Sequence, residues 1–162
     1  CPHCFTTLKN DYAEMGIELD VIHHSQFIDE LIQENKINPQ PWIDEDITFH
    51  DPCYLGRHND EYDAPRNVLQ SILRDGEIKE MAQTKSDSFC CGAGGGNMWY
   101  EIKTGERINQ NRVKQAVQTD ANTVAAACNF CNIMLDDGIK TTGNDEKIKV
   151  LDIAEMVSDS LR

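Results

Sequence analysis

Thr123-Val124-Ala125-Ala126-Ala127-Cys128-Asn129-Phe130-Cys131 is the stretch that decides the fold. Its first five residues form an uncharged run the length of a buried strand, and a CxxC pair begins where that run stops. Two earlier stretches have a related form. Ile47-Thr48-Phe49-His50 reads as a strand that ends at Asp51-Pro52, because proline cannot donate to a sheet and holds its predecessor extended; Cys53 follows at once. Ser88-Phe89-Cys90-Cys91 ends a second extended run and leads into Gly92-Ala93-Gly94-Gly95-Gly96. Helical signals lie between. Asp63-Ala64-Pro65 opens a segment with Val68, Leu69, Ile72 and Leu73 on one face, closed by Asp75-Gly76. Residues 105–119 carry Ile108, Val113, Ala116 and Val117 on a looser stripe. Such alternation predicts an α/β fold, a parallel sheet with flanking helices and cysteines at the carboxyl ends of the strands.

Thirty-six residues separate Cys53 from Cys90, and thirty-six separate Cys91 from Cys128. A strand, a crossover helix and a returning loop use about 30 residues or more, so each interval brings the chain back to the same sheet edge, where open α/β folds hold their ligands. Cys53, Cys90, Cys91, Cys128 and Cys131 are therefore expected to converge as a metal site. Cys128 and Cys131 open a helix, whose free N–H groups favour thiolates. Gly92, Gly94, Gly95 and Gly96 remove side chains beside Cys91, so that backbone N–H groups can approach bound sulfur. The run reads GxGGG, not the GxGxxG of dinucleotide sites, which argues against a nucleotide.

A second CxxC pair, Cys1/Cys4, precedes the first by 127 residues, and the same offset relates Ser25 to Asp152. Both of the latter are helix-capping residue types, followed by apolar residues three and four apart: Phe27, Ile28, Leu31 and Ile32, then Ile153, Met156 and Val157. A β-rich run precedes each cap, Ile17 to His24 and Lys147 to Leu151. The order CxxC helix, strand, cap, helix thus occurs twice. Residues 1–43 read as the end of one module and 44–162 as a complete second one, the whole being one compact unit.

Lys and Arg number 15 against 28 for Asp and Glu, a net charge of −13 that repels phosphate backbones and argues against nucleic acid as a partner. No apolar stretch reaches the ~20 residues that span a bilayer, so direct membrane insertion by these residues is not expected. Seven cysteines cannot all pair within one chain, and clustered thiols in a reducing compartment serve as metal ligands or redox groups. Soft thiolates select iron–sulfur clusters or zinc. Zinc is satisfied by four ligands and leaves one of the five thiols spare, which favours iron without excluding zinc. A thiol/disulfide switch at Cys90/Cys91 or at a CxxC pair is the third reading. No arrangement of Ser, His and Asp or of paired carboxylates argues for hydrolysis. His50 and His58 flank Cys53 as candidate hydrogen-bond donors or a replacement ligand, with solvated or capping roles the plainer reading. His23-His24 are expected to end a strand, one packed and one exposed. Trp99 and Tyr100 read equally as a cover for the site or as core aromatics.

The stretches His50-Asp51-Pro52-Cys53-Tyr54-Leu55-Gly56, Ser88 to Gly96 and Ala127 to Cys131 together resemble the cysteine-rich CCG domain. That domain occurs in the B subunit of heterodisulfide reductase and in iron–sulfur subunits of several dehydrogenases. The chain is also similar to membrane-attached iron–sulfur oxidoreductases that pass electrons between electron-transfer flavoproteins and quinones. The resemblance implies an oxidoreductase module that holds a [4Fe-4S] cluster on Cys53, Cys90, Cys91, Cys128 and Cys131, noncubane in the heterodisulfide reductase branch. Cys1-Pro2-His3-Cys4-Phe5 resembles the closing CxxC of a first motif, so Cys1 and Cys4 are its remnant. The implied partners are other redox subunits or domains, a flavoprotein or a ferredoxin-type domain, with a quinone or a thiol/disulfide acceptor. The implied location is cytoplasmic, the parent protein at the cytoplasmic face of a membrane. Asn129 stands where many relatives have proline, between two ligands.

Overall fold

Three parallel strands, Ile47–His50 (β1), Thr123–Ala126 (β2) and Lys149–Asp152 (β3), form a sheet of order β1-β2-β3 in a computed structural model that describes residues 1–100 and 104–161. The chain begins with a short helix, Pro2–Thr6 (α1), which continues through a π-helical turn, Thr7–Asp11, into Tyr12–Glu14 (α2). The helix His24–Gln33 (α3) precedes β1. After β1 come Gly56–Asn59 (α4), Asp63–Ile72 (α5), two 3₁₀ turns at Lys85–Asp87 and Gly94–Trp99, and Ile108–Val117 (α6). Asn129–Thr141 (α7) links β2 to β3, and Ile153–Ser160 (α8) follows β3.

The register pairs Thr48 with Val124, Phe49 with Ala125 and His50 with Ala126, so alternate residues point to opposite faces. Ile47, Phe49 and Ala125 join Val68, Leu69 and Ile72 of α5 and Ile153 and Met156 of α8 in one core. Val68, Leu69 and Ile72 have no exposure, and each contributes about 1.5–3 kcal/mol by burial. Val124 and Ala126 join Val113 and Ala116 of α6 and Met134 and Leu135 of α7 in the other. By register, Thr48 and His50 lie on this second face. α6 and α7 approach closely there because position 138 is glycine: a Cβ would sit 2.9 Å from Val113 Cγ2 and 3.1 Å from the Asn109 carbonyl oxygen. Asn109 clips the pair together by donating to the Met134 carbonyl (3.0 Å) and to Asp137 (2.8 Å).

The predicted elements stand with four differences. Residues 17–23 form no strand, although Lys149–Asp152 at the matching place does. The second run pairs with β2, whereas the first leaves Ile17, Leu19 and Ile22 exposed. The cap of α3 falls on His23, two residues before Ser25: its Nδ1 accepts from the Ser25 N–H (3.4 Å), and its own N–H donates to Gln26 (3.0 Å). Asp152 caps α8 as expected, accepting from Ala154 N–H at 2.9 Å. α5 ends at Ile72 rather than at Asp75-Gly76, because Leu73 turns extended to bridge Ile43. The run 88–91 is no strand; among the described residues between α5 and β2, backbone pairing with the sheet is the bridge of Ile78 to Ile47.

Candidate metal centre

Cys53 lies three residues beyond β1 and Cys128 two residues beyond β2, so parallel pairing delivers both to one edge of the sheet. Cys131 follows one turn into α7, and Cys90 and Cys91 arrive on the irregular segment between the two 3₁₀ turns. All five sulfur-bearing residues line one recess, together with Pro2, His3, Pro52, Tyr54, Ala93 and Gly94. Among the described residues no carboxylate lines it, and its sulfur donors are soft, which fits a thiolate-bound iron–sulfur cluster or zinc.

The thiols interact in a chain, Cys53 with Cys90, Cys90 with Cys91, Cys91 with Cys131 and Cys131 with Cys128. Contact with Cys53 and Cys91 draws the Cys90 thiol far down, aided by the Gly92 N–H, which points at its sulfur from 3.3 Å. Cys53 is pushed far up by the same contact with Cys90 and by burial. Cys128 falls to about 7 through its contact with Cys131, against burial, with the N–H groups of Cys131 and Phe130 assisting. Cys131 is raised by Cys128, Cys91 and burial. For Cys91, contact with Cys131 lowers the pKa, but Cys90 and burial outweigh it and hold the thiol at about 12.

Several residues that hold this edge in place carry no signal in the sequence pattern. Buried Asp51 takes a bidentate ion pair from Arg66 (2.8 and 3.0 Å) and also accepts from Thr84 Oγ1 (3.1 Å) and the Lys85 N–H (2.8 Å). Ser88 fastens the Cys90-Cys91 segment to the end of β1, donating to the Asp51 carbonyl at 3.2 Å, while Arg57 donates to the Ser88 carbonyl. Arg112 of α6 is fully buried at 0 % exposure. It donates Nε–H to His50 Nδ1 (3.0 Å), NH1 to the Gln83 carbonyl (2.8 Å) and to Gln115 (2.7 Å), and NH2 to Ser88 Oγ (3.2 Å). Burial pulls its pKa down to about 10, opposed by Asp51 and Cys131, so it stays charged at neutral pH. An arginine in a polar helix reads as solvated; only the approach of α6 to the sheet reveals it as interior.

The other predicted residues fall as follows. His50 is 1 % exposed, neither solvated nor a cap, and a ring nitrogen of His50 lies within 4.8 Å of the Cys91 and Cys131 sulfurs. His58 is exposed and stacks on Tyr54, ring centroids 4.4 Å apart. His23 is buried and His24 half-buried, so neither of that pair is the exposed member expected. Gly92 has φ +93°, and a Cβ there would press on Ile108 Cβ at 3.1 Å; its N–H serves Cys90 rather than Cys91. Gly94 lines the thiol recess, whereas Gly95 lines an outer hollow with Tyr54, Phe130, Met98 and Trp99, and a Cβ at Gly94 or Gly95 would meet nothing within 4 Å. Trp99 is 78 % exposed and Tyr100 is exposed too, so neither is a core aromatic. Cys1 and Cys4 are exposed; their neighbours Pro2 and His3 reach the recess wall, but these two thiols do not line it.

A parallel α/β module that gathers five thiols in one recess at its sheet edge defines a cysteine-rich metal-binding protein. The chain belongs to the CCG cysteine-rich domain family, whose pattern matches residues 47–136. It is 40 % identical over 99 % of its length to a protein of Bacillus subtilis named probable iron-sulfur-binding oxidoreductase FadF, covering 23 % of that protein. It is 40 % identical over 97 % of its length to the EtfAB:quinone oxidoreductase of Syntrophomonas wolfei, again covering 23 %. A third relative is a component of the dihydromethanophenazine:CoB–CoM heterodisulfide reductase of Methanosarcina barkeri, 40 % identical over 99 % of the chain and 39 % of that protein. The chain therefore spans well under half of these relatives. Among the described residues, no helix is long and apolar enough to cross a membrane.

Proposed function

We propose that Cys53, Cys90, Cys91, Cys128 and Cys131 hold a [4Fe-4S]-type cluster, noncubane in form, and that the chain is an electron-carrying module of an iron–sulfur oxidoreductase. The observation that carries this reading is the recess lined by all five cysteines and, among the described residues, by no carboxylate. When bound, such a cluster supplies a one-electron carrier. The chain's residues supply the rest: five sulfur ligands, the Gly92 N–H toward the Cys90 sulfur, the opening N–H groups of α7 at Cys128, and an apolar wall that limits water. Residues 1–43 act as the end of a first module and 44–162 as a complete second one. Redox partners are other subunits or domains, a flavoprotein or ferredoxin-type domain on one side and a quinone or disulfide on the other, as the names of the relatives suggest. The parent protein works at the cytoplasmic face of a membrane.

Anaerobic reconstitution with ferrous iron and sulfide tests the ligand set. Iron with acid-labile sulfide and charge-transfer absorption supports it. Stoichiometric zinc without sulfide assigns the recess to zinc instead, and reversible thiol titration with neither metal assigns it to a disulfide switch.

A further inference from the structure

The hydrogen bond between Arg112 and His50 settles a question of proton placement that bears on the thiol recess. An arginine Nε–H can only donate, so the His50 Nδ1 that it meets at 3.0 Å must be an unprotonated acceptor. The proton of the neutral ring then sits on Nε2, the one nitrogen left to face other groups. His50 lies by register on the same face of the sheet as α6 and α7, and with Cys91 and Cys131 it forms the compact His-Cys-Cys group that would otherwise pass for a mixed metal site. A nitrogen carrying a proton has no lone pair for a metal, but it is a donor to sulfur. Arg112 itself has only neutral acceptors among the described residues, a ring nitrogen, a backbone carbonyl, an amide and a hydroxyl, so no carboxylate neutralises it directly. Burying an arginine in that way is costly unless an anionic group lies near. Asp51 is one such group, and the thiol recess beyond His50, with Cys131 and Cys91, is another.

We propose that Arg112 is a positioning residue for the centre: by occupying His50 Nδ1 it holds the proton on Nε2, making His50 an N–H donor toward the Cys91 and Cys131 sulfurs rather than a metal ligand, and it supplies a buried positive charge behind them. This rests on the five-cysteine reading above for its consequences at the cluster, but the tautomer itself is a property of the metal-free chain.

Long-range ¹H–¹⁵N correlation spectra of the metal-free protein are expected to show His50 in the Nε2–H form alone. Arg112→Met is expected to yield a mixture of tautomers with the amide dispersion retained; should that variant fail to fold, Arg112→Lys and the wild-type spectrum carry the test. On loading with zinc as a diamagnetic probe, the Nε2 proton is expected to persist. In reconstituted protein, Arg112→Met and His50→Phe are expected to lower the reduction potential, with Arg112→Lys intermediate and iron content unchanged. An Nδ1–H tautomer in the wild type, loss of the Nε2 proton on zinc loading, or an unshifted potential in Arg112→Met overturns the assignment. Failure of the five-cysteine reading would look different: no iron and sulfide retained, with the His50 spectrum as expected.

Discussion

The chain contains two helices that begin with the same four-residue device, and only the second has its cysteines in the five-cysteine recess. Cys128-Asn129-Phe130-Cys131 opens α7 at the end of a buried strand, where the loop after β1 and the segment pinned by Ser88 bring three more sulfurs. Cys1-Pro2-His3-Cys4 opens α1, and both thiols are exposed. The attachments differ as well. α1 is held by neutral bonds, Thr6 Oγ1 donating to the Tyr54 carbonyl (3.0 Å) and Asn59 donating to Thr6 (2.7 Å), whereas the edge around Cys53 is held by the buried Asp51–Arg66 pair. A CxxC sequence is thus two ligands in search of partners. What makes it a centre is a sheet edge to which other segments are tied.

That contrast yields predictions of decreasing size. Cys53→Ala, Cys90→Ala, Cys128→Ala or Cys131→Ala should abolish charge-transfer absorption and retention of sulfide after reconstitution, while Cys1→Ala and Cys4→Ala leave both largely intact; equal loss from the N-terminal pair would place it in the same site. Asp51→Ala removes one of the two carboxylates that pair with Arg66, Glu80 remaining, and leaves Thr84 Oγ1 and the Lys85 N–H without this acceptor; it should cost about 1.5–3 kcal/mol in urea unfolding. Asn59→Ala, on the N-terminal side, should cost about 1 kcal/mol in the same assay.

Acid should also act unevenly. Burial, then the neighbouring His24, lowers the His23 pKa from 6.5 to about 3. The unfolded chain therefore binds the extra proton between those values, and stability present above pH 6.5 is lost progressively as pH falls toward 3. The slope from this group reaches at most about 1.4 kcal/mol per pH unit. His23→Asn keeps an acceptor for the start of α3 and should flatten the pH dependence of unfolding; an unchanged curve would show that His23 titrates freely. The smallest effect is at the matching cap of α8, where Asp152→Ala should cost about 1 kcal/mol by thermal unfolding.

Much of this was legible in the residues. The strand Ile47–His50 is marked by its own apolar pattern and by the proline that stops it, and Asp152 announces α8 because a short carboxylate before an apolar stripe has one favourable use there. The matched intervals between cysteines pointed to one recess, because loop lengths constrain where a chain can return. The cap at His23 was missed because histidine is an unusual capping residue, and Ser25, the usual choice, lies two positions further on. The run 17–23 has the composition of a strand but no described strand to pair with, and strand formation depends on a neighbour's N–H and C=O groups.

By itself the sequence determined which atoms are available and how far apart along the chain they lie: five soft donors, glycine beside two of them, and strands that must run parallel because helices separate them. Tertiary structure alone decided that Cys90 and Cys91 come in on an anchored loop and not a strand, and that Arg112 is interior with its charge turned toward His50. The physical reason is that spacing and hydrophobic pattern are local properties of the chain. Burial of a charge, the direction of an N–H and the sharing of protons among thiols depend on what other segments place alongside.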